Sequence, residues 1–126
     1  MSSRELETIA AVRKGLPAAE LEKLVRKLAI ERTVLLNVLG ISARTLQRKQ
    51  HRQTTLTPAA SDRLARVERI YQLASEVFAD ESTAAEWLKR PSRALDGRRP
   101  IELLDTDAGT QSIEQELRRI QHGFVF

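Results

Sequence analysis

An all-α fold is predicted, with an N-terminal helix-turn-helix domain followed by a second helical domain. Three observations carry that prediction. Glycine and proline are sparse, five and four in 126 residues, and no stretch alternates β-branched with polar residues as a half-buried strand would. Apolar residues instead recur every three or four positions over most of the chain. Cap and stop residues stand where those periodic runs begin and end.

Ser2 followed by Glu5 is a capping-box pair for a first helix over 3–14. Leu6, Ile9, Ala10 and Val12 give it an apolar side, and Gly15 is its stop. Pro17 is placed to open a second helix, whose buried stripe is Leu21, Leu24, Val25 and Leu28. Both helices read as scaffold. Residues 31–39 form a third helix with Val34, Leu35 and Val38 apolar. Gly40 then permits a positive-φ turn, Ile41 tucks inward, and Ser42 caps a short helix over 43–50.

That fourth helix has one strongly apolar residue, Leu46, so one side packs while Arg44, Thr45, Gln47, Arg48 and Lys49 point outward. A helix, a glycine turn and a short basic helix have the layout of a helix-turn-helix, whose second helix enters the major groove. The side chains suit the task. Arg44 and Arg48 can grip guanine, Gln47 adenine and Thr45 a thymine methyl, while Lys49 and Arg52 can hold phosphates. Leu36 stands where such units often carry a small residue for close helix approach.

Residues 51–56 read as a polar linker, which divides the chain into a DNA-binding domain over 1–56 and a helical domain over 57–126. Thr57 and Pro58 open a long helix, with Leu64, Val67, Ile70, Tyr71, Ala74, Val77 and Phe78 along one seam. The seam reads as intramolecular core first and as a dimer contact second. Thr83 and Glu86 form a further capping-box pair ahead of Trp87, Leu88 and a stop at Pro91. Gly97 supplies a turn, Pro100 opens a short helix, and Thr106 with Asp107 starts the last one, faced by Ile113, Leu117 and Ile120. Gly123 is suited to end that helix, before Phe124, Val125 and Phe126.

The formal net charge of +4 is unevenly spread. Residues 1–66 hold 13 Lys/Arg against 6 Asp/Glu, a net +7, and residues 67–126 hold 8 against 11, a net −3. A basic half joined to an acidic half points to two partners of opposite character, the first a nucleic acid; solvated basic faces are the plainer alternative. The chain has no cysteine, so disulfides and thiolate metal sites are excluded and a reducing compartment fits. No apolar run approaches a membrane span, and the first five residues lack the apolar core of a signal peptide. A cytoplasmic location is therefore expected.

Catalytic chemistry does not assemble from these residues. His51 and His122 fall in different regions without a ligand set, no phosphate-cradling glycine loop or nucleophile motif occurs, and Asp105 and Asp107 read as helix-capping acids. No catalytic residue, metal site or cofactor is assigned.

The last third of the chain resembles the toxin-binding domain of the Xre/MbcA/ParS-like antitoxins, partners of RES-domain toxins in bacterial type II toxin–antitoxin pairs. The matching residues are Trp87, Leu88, Pro91, Ala94, Leu95, Gly97, Pro100, Ile101, Leu103, Leu104, Thr106, Gly109, Leu117, Ile120, His122 and Gly123. The ending Phe124-Val125-Phe126 departs from the shorter tail of the pattern. The resemblance implies an Xre-like helix-turn-helix that represses its own operon. It also implies a C-terminal domain that blocks the active site of a toxin acting on NAD. Gln121, His122, Gly123, Phe124, Val125 and Phe126 would plug the toxin's cleft, within a charged rim of Arg98, Arg99 and Arg118; the alternative is that the aromatics fold back on their own domain. The expected partners are a RES-domain toxin, operator DNA and a second copy of the chain. The dimer contact would come from the first two helices or from the Leu64–Phe78 seam. The competing function is a free-standing helix-turn-helix regulator with a C-terminal sensor or oligomerisation domain.

Overall fold

The computed structural model describes residues 1–123 and is built from helices, with no strand among the described residues. In chain order these are α1 (Ser3–Lys14), α2 (Ala19–Leu28), α3 (Arg32–Leu39), α4 (Ala43–His51), α5 (Pro58–Phe78) and α6 (Glu81–Lys89). A 3-10 turn (Arg93–Leu95) and a 3-10 helix (Pro100–Asp105) lead to α7 (Asp107–Gly123).

Most boundaries follow from local chemistry. The Ser2 hydroxyl accepts from Glu5 N–H at 3.1 Å and starts α1. Thr57 caps α5 by accepting from Ala60 N–H at 3.2 Å, with Pro58 in the first turn, where its missing N–H costs nothing. Thr106 accepts from Gly109 N–H at 3.0 Å at the start of α7.

Four expectations are corrected. Pro17 does not open α2. It forms an isolated antiparallel bridge with Thr55, and the helix begins at Ala19. Residues 51–56 are not a free linker, because Leu56 N–H donates to the Leu16 carbonyl at 2.8 Å and Leu56 itself is buried. The cap of α6 is Asp80, whose carboxylate accepts from Thr83 N–H at 2.8 Å and Thr83 Oγ1 at 2.6 Å. Ala79 closes α5 in the left-handed region, so that only Ala79 and Asp80 lie between the two helices and the cap falls at Asp80 rather than at Thr83. Finally, α1 buries none of its residues: Ile9 and Val12 are half-buried and Leu6 is exposed.

The core is one connected cluster, and α5 runs through its centre. Leu64, Val67 and Ile70 are fully enclosed, and α5 packs against α1, α3, α6, α7 and the 3-10 helix, which itself packs on α3. The seam on α5 is therefore spent largely within the chain. Leu21, Leu28 and Leu35 extend the core under the N-terminal helices; Leu88, Ile101, Leu104, Ile113 and Leu117 extend it under the C-terminal ones. At the crossing of α7 on the 3-10 helix, Gly109 is required by space. A methyl group there would stand 2.0 Å from the Leu103 carbonyl oxygen, closer than any contact tolerates.

Candidate nucleic-acid and partner interfaces

The turn that aims α4 is made by Gly40, at φ 72°, a left-handed conformation that a side chain disfavours. Gly40 and Ile41 both donate to the Leu36 carbonyl, at 2.9 and 3.1 Å, which closes α3 tightly before Ser42 begins the next helix. Leu36 is accommodated here as a buried core residue. Ser42 accepts from Thr45 N–H at 3.0 Å, and its hydroxyl donates to Thr45 Oγ1 at 2.9 Å. Leu46 is the one buried residue of α4, so a single anchor holds the helix to the core.

The six residues expected to meet DNA divide by what else they do. Arg44, Gln47 and Arg48 are exposed on α4, and Arg52 is exposed just past its end. None of these three arginines has a carboxylate partner among the described residues. Thr45 is half-buried and bonded to Ser42. Lys49 is half-buried, with its ammonium donating to the Thr55 carbonyl at 3.0 Å, so it fastens the loop that follows α4.

A second support is invisible in the local pattern. The Glu22 carboxylate on α2 accepts from Arg32 Nε at 2.7 Å, from Arg32 Nη2 at 2.9 Å and from Gln50 Nε2 at 3.1 Å. One half-buried carboxylate thus ties α2 to both helices of the helix-turn-helix. The hydrogen bond from Arg32, ahead of burial, sets the balance and holds the Glu22 carboxyl below the usual carboxylate range.

The backbone between α6 and the 3-10 helix turns sharply. Asp96 and Gly97 both lie in the left-handed region, and Ser92 N–H donates to the Arg98 carbonyl at 3.1 Å. This loop holds Arg98 exposed and Arg99 half-buried. Arg99 is engaged inside the chain, with Nη1 3.5 Å from a Glu31 oxygen and Nε 3.4 Å from Glu102. Arg118 is exposed on α7; in the last turn of α7 Gln121 is half-buried, and His122 and Gly123 are exposed. No hydrogen bond or ion pair joins Arg98 or Arg99 to α7 among the described residues. Phe124, Val125 and Phe126 lie outside the described residues.

Two contacts stiffen the surface around that loop. The rings of Phe78 and Trp87 pack tilted at 47° with centroids 5.9 Å apart. Lys89 donates to the Ala29 carbonyl at 3.2 Å, so the end of α6 is latched to the end of α2. Among the described residues no group of three or more His, Asp or Glu is placed to hold a metal ion, and no helix is long and apolar enough to cross a membrane.

Comparison with known proteins assigns a domain to each part of the chain. The family model of the antitoxin Xre-like helix-turn-helix domain matches residues 7–75, more than half the chain. The chain belongs to the Xre antitoxin family. The model of the antitoxin Xre/MbcA/ParS C-terminal toxin-binding domain matches residues 73–123. Antitoxin Xre of Photorhabdus laumondii is 32% identical over 117 residues, covering 92% of this chain and 79% of the relative. Antitoxin Xre of Yersinia enterocolitica is 27% identical over 123 residues, 97% of this chain and 83% of the relative. A Sphingobium protein named Prs ADP-ribosylating antitoxin is 24% identical over 127 residues, 94% of this chain and 80% of that relative. The chain is thus an Xre-family antitoxin with a helix-turn-helix domain and a toxin-binding domain, and α5 is shared by both matched regions.

Proposed function

We propose that this antitoxin binds and blocks a RES-domain toxin acting on NAD through its C-terminal domain, and represses its own operon through α4. The observation that carries the reading is a basic helix, α4, whose exposed Arg44 and Arg48 have no carboxylate partner among the described residues, with Arg98 and Arg118 exposed elsewhere, on an irregular loop and on α7. Arg44, Gln47 and Arg48 meet base edges, Arg52 holds phosphate, and Thr45 and Lys49 mainly keep the helix and its loop in place. On the toxin side, Arg98, Arg118 and the residues from Gln121 to the chain end make the contact. There Phe124 and Phe126 fill an apolar cleft. The protein acts in the cytoplasm as a homodimer, since a single short reading helix gives too little specificity and two copies match a two-fold operator.

A relative named for ADP-ribosylation supports a toxin that uses NAD, because ADP-ribosyl transfer consumes it. Co-expression of the adjacent reading frame with the full-length chain, or with a chain ending at Gln121, tests the toxin half. Full-length protein should co-purify with the partner and preserve cellular NAD, while the shortened chain loses protection. Protection by both would move inhibition to the domain surface. Absence of both a partner and any fall in NAD would leave a free-standing regulator in its place.

A further inference from the structure

Gly40 is placed by more than its backbone conformation. A methyl group added there would lie 2.6 Å from Arg63 Nη1 and 3.7 Å from its Cζ. The guanidinium of Arg63, carried on α5, therefore rests directly over the turn between α3 and α4. Arg63 is half-buried, and it has no ion pair or side-chain hydrogen bond among the described residues. The neighbouring carboxylate, Asp62, is paired with Arg66 at 3.4 Å and does not serve it. A partly desolvated cation without an acceptor is unfavourable, and its planar fork of N–H donors matches a phosphate group.

We infer that Arg63 binds a DNA phosphate, gripping one phosphodiester at the α3–α4 turn while α4 lies in the groove. The inference rests on the DNA-binding reading above. With α4 in the major groove, the residues just ahead of it border the sugar–phosphate backbone, where contacts fix register and carry no sequence information. Arg63 is thus a clamp supplied by α5, the helix that also packs against α6 and α7.

The test uses the full chain, a duplex from upstream of its own reading frame and an unrelated duplex of equal length, with affinities measured across a salt series. Arg63→Gln should weaken both duplexes by the same factor, severalfold, and lower the slope of log affinity against log salt by about 0.9, one counterion's worth. Arg63→Lys should keep the wild-type slope, because the charge remains. Arg48→Ala should instead reduce the preference for the upstream duplex. An unchanged slope in Arg63→Gln, with Arg48→Ala still losing preference, overturns the phosphate clamp alone. A wild-type chain that binds neither duplex overturns the clamp and the DNA-binding reading together.

Discussion

Two regions of the molecule display arginine in different ways. On α4, Arg44 and Arg48 project from a regular helix held by one buried residue, and the supporting contacts come from elsewhere: Glu22 on α2, Ser42, and the Thr55 carbonyl. In the loop before the 3-10 helix, Arg98 stands on irregular backbone beside two left-handed residues, while Arg99 is consumed by Glu31 and Glu102. A regular helix offers side chains at fixed repeats, which suits a regular ligand such as duplex DNA. An irregular loop offers a single shape, which suits one protein surface. The contrast teaches that charge which is satisfied internally builds the display, and charge which is left over is what the display presents.

Substitutions can break this comparison, and the largest effect should come from α5, which packs against elements of both regions. Leu64→Ala removes a fully buried side chain from α5 and should cost about 3 kcal/mol, lowering the thermal midpoint and weakening DNA binding and toxin protection together. Gly109→Ala sharpens the contrast. Its methyl group cannot sit 2.0 Å from the Leu103 carbonyl, so α7 must shift, at a cost of about 2 kcal/mol; toxin protection should fall while promoter binding persists.

Glu22→Gln should do the reverse. It weakens the tie between α2, α3 and α4, costs about 1 kcal/mol at neutral pH and reduces DNA affinity while sparing toxin protection. The pH sign follows from the lowered carboxyl. Its stabilisation is fully present above the unfolded value, about 4.3, and is lost as pH falls through the lower folded value. Urea unfolding should therefore show a gap between wild type and Glu22→Gln at pH 6 that narrows below pH 4. Asp80→Ala, the smallest effect, removes the α6 cap and should lower the thermal midpoint slightly without changing either binding surface, as read by thermal unfolding alongside both binding assays.

Much of this architecture was legible because its causes are local. Ser2, Ser42, Thr57 and Thr106 act as caps within three residues of themselves, and the three-to-four-residue spacing of Leu64, Val67, Ile70 and Ala74 announced a buried face. The α6 cap was misread because Asp80/Thr83 and Thr83/Glu86 are equally good patterns three residues apart; the left-handed Ala79 decides between them. Contacts between distant residues left no trace. Nothing near Gln50 points to Glu22, 28 residues earlier, and nothing near Arg99 points to Glu31, 68 residues earlier. The segment 51–56 looked like a linker since its polar side chains hide a backbone bonded to residues 16–18. Of the residues read as outward on α4, Arg44, Gln47 and Arg48 are exposed because one anchor, Leu46, fixes the phase, whereas Thr45 and Lys49 are half-buried, drawn in by Ser42 and the Thr55 carbonyl.

The proposed function needs two surfaces that work separately although α5 joins the regions that carry them. The most direct measurement expresses the Arg44→Ala/Arg48→Ala double variant together with the adjacent toxin reading frame, recording promoter activity and cell survival in the same culture. Derepressed transcription with survival intact is the predicted result. Loss of survival along with repression, or repression that persists, would contradict it.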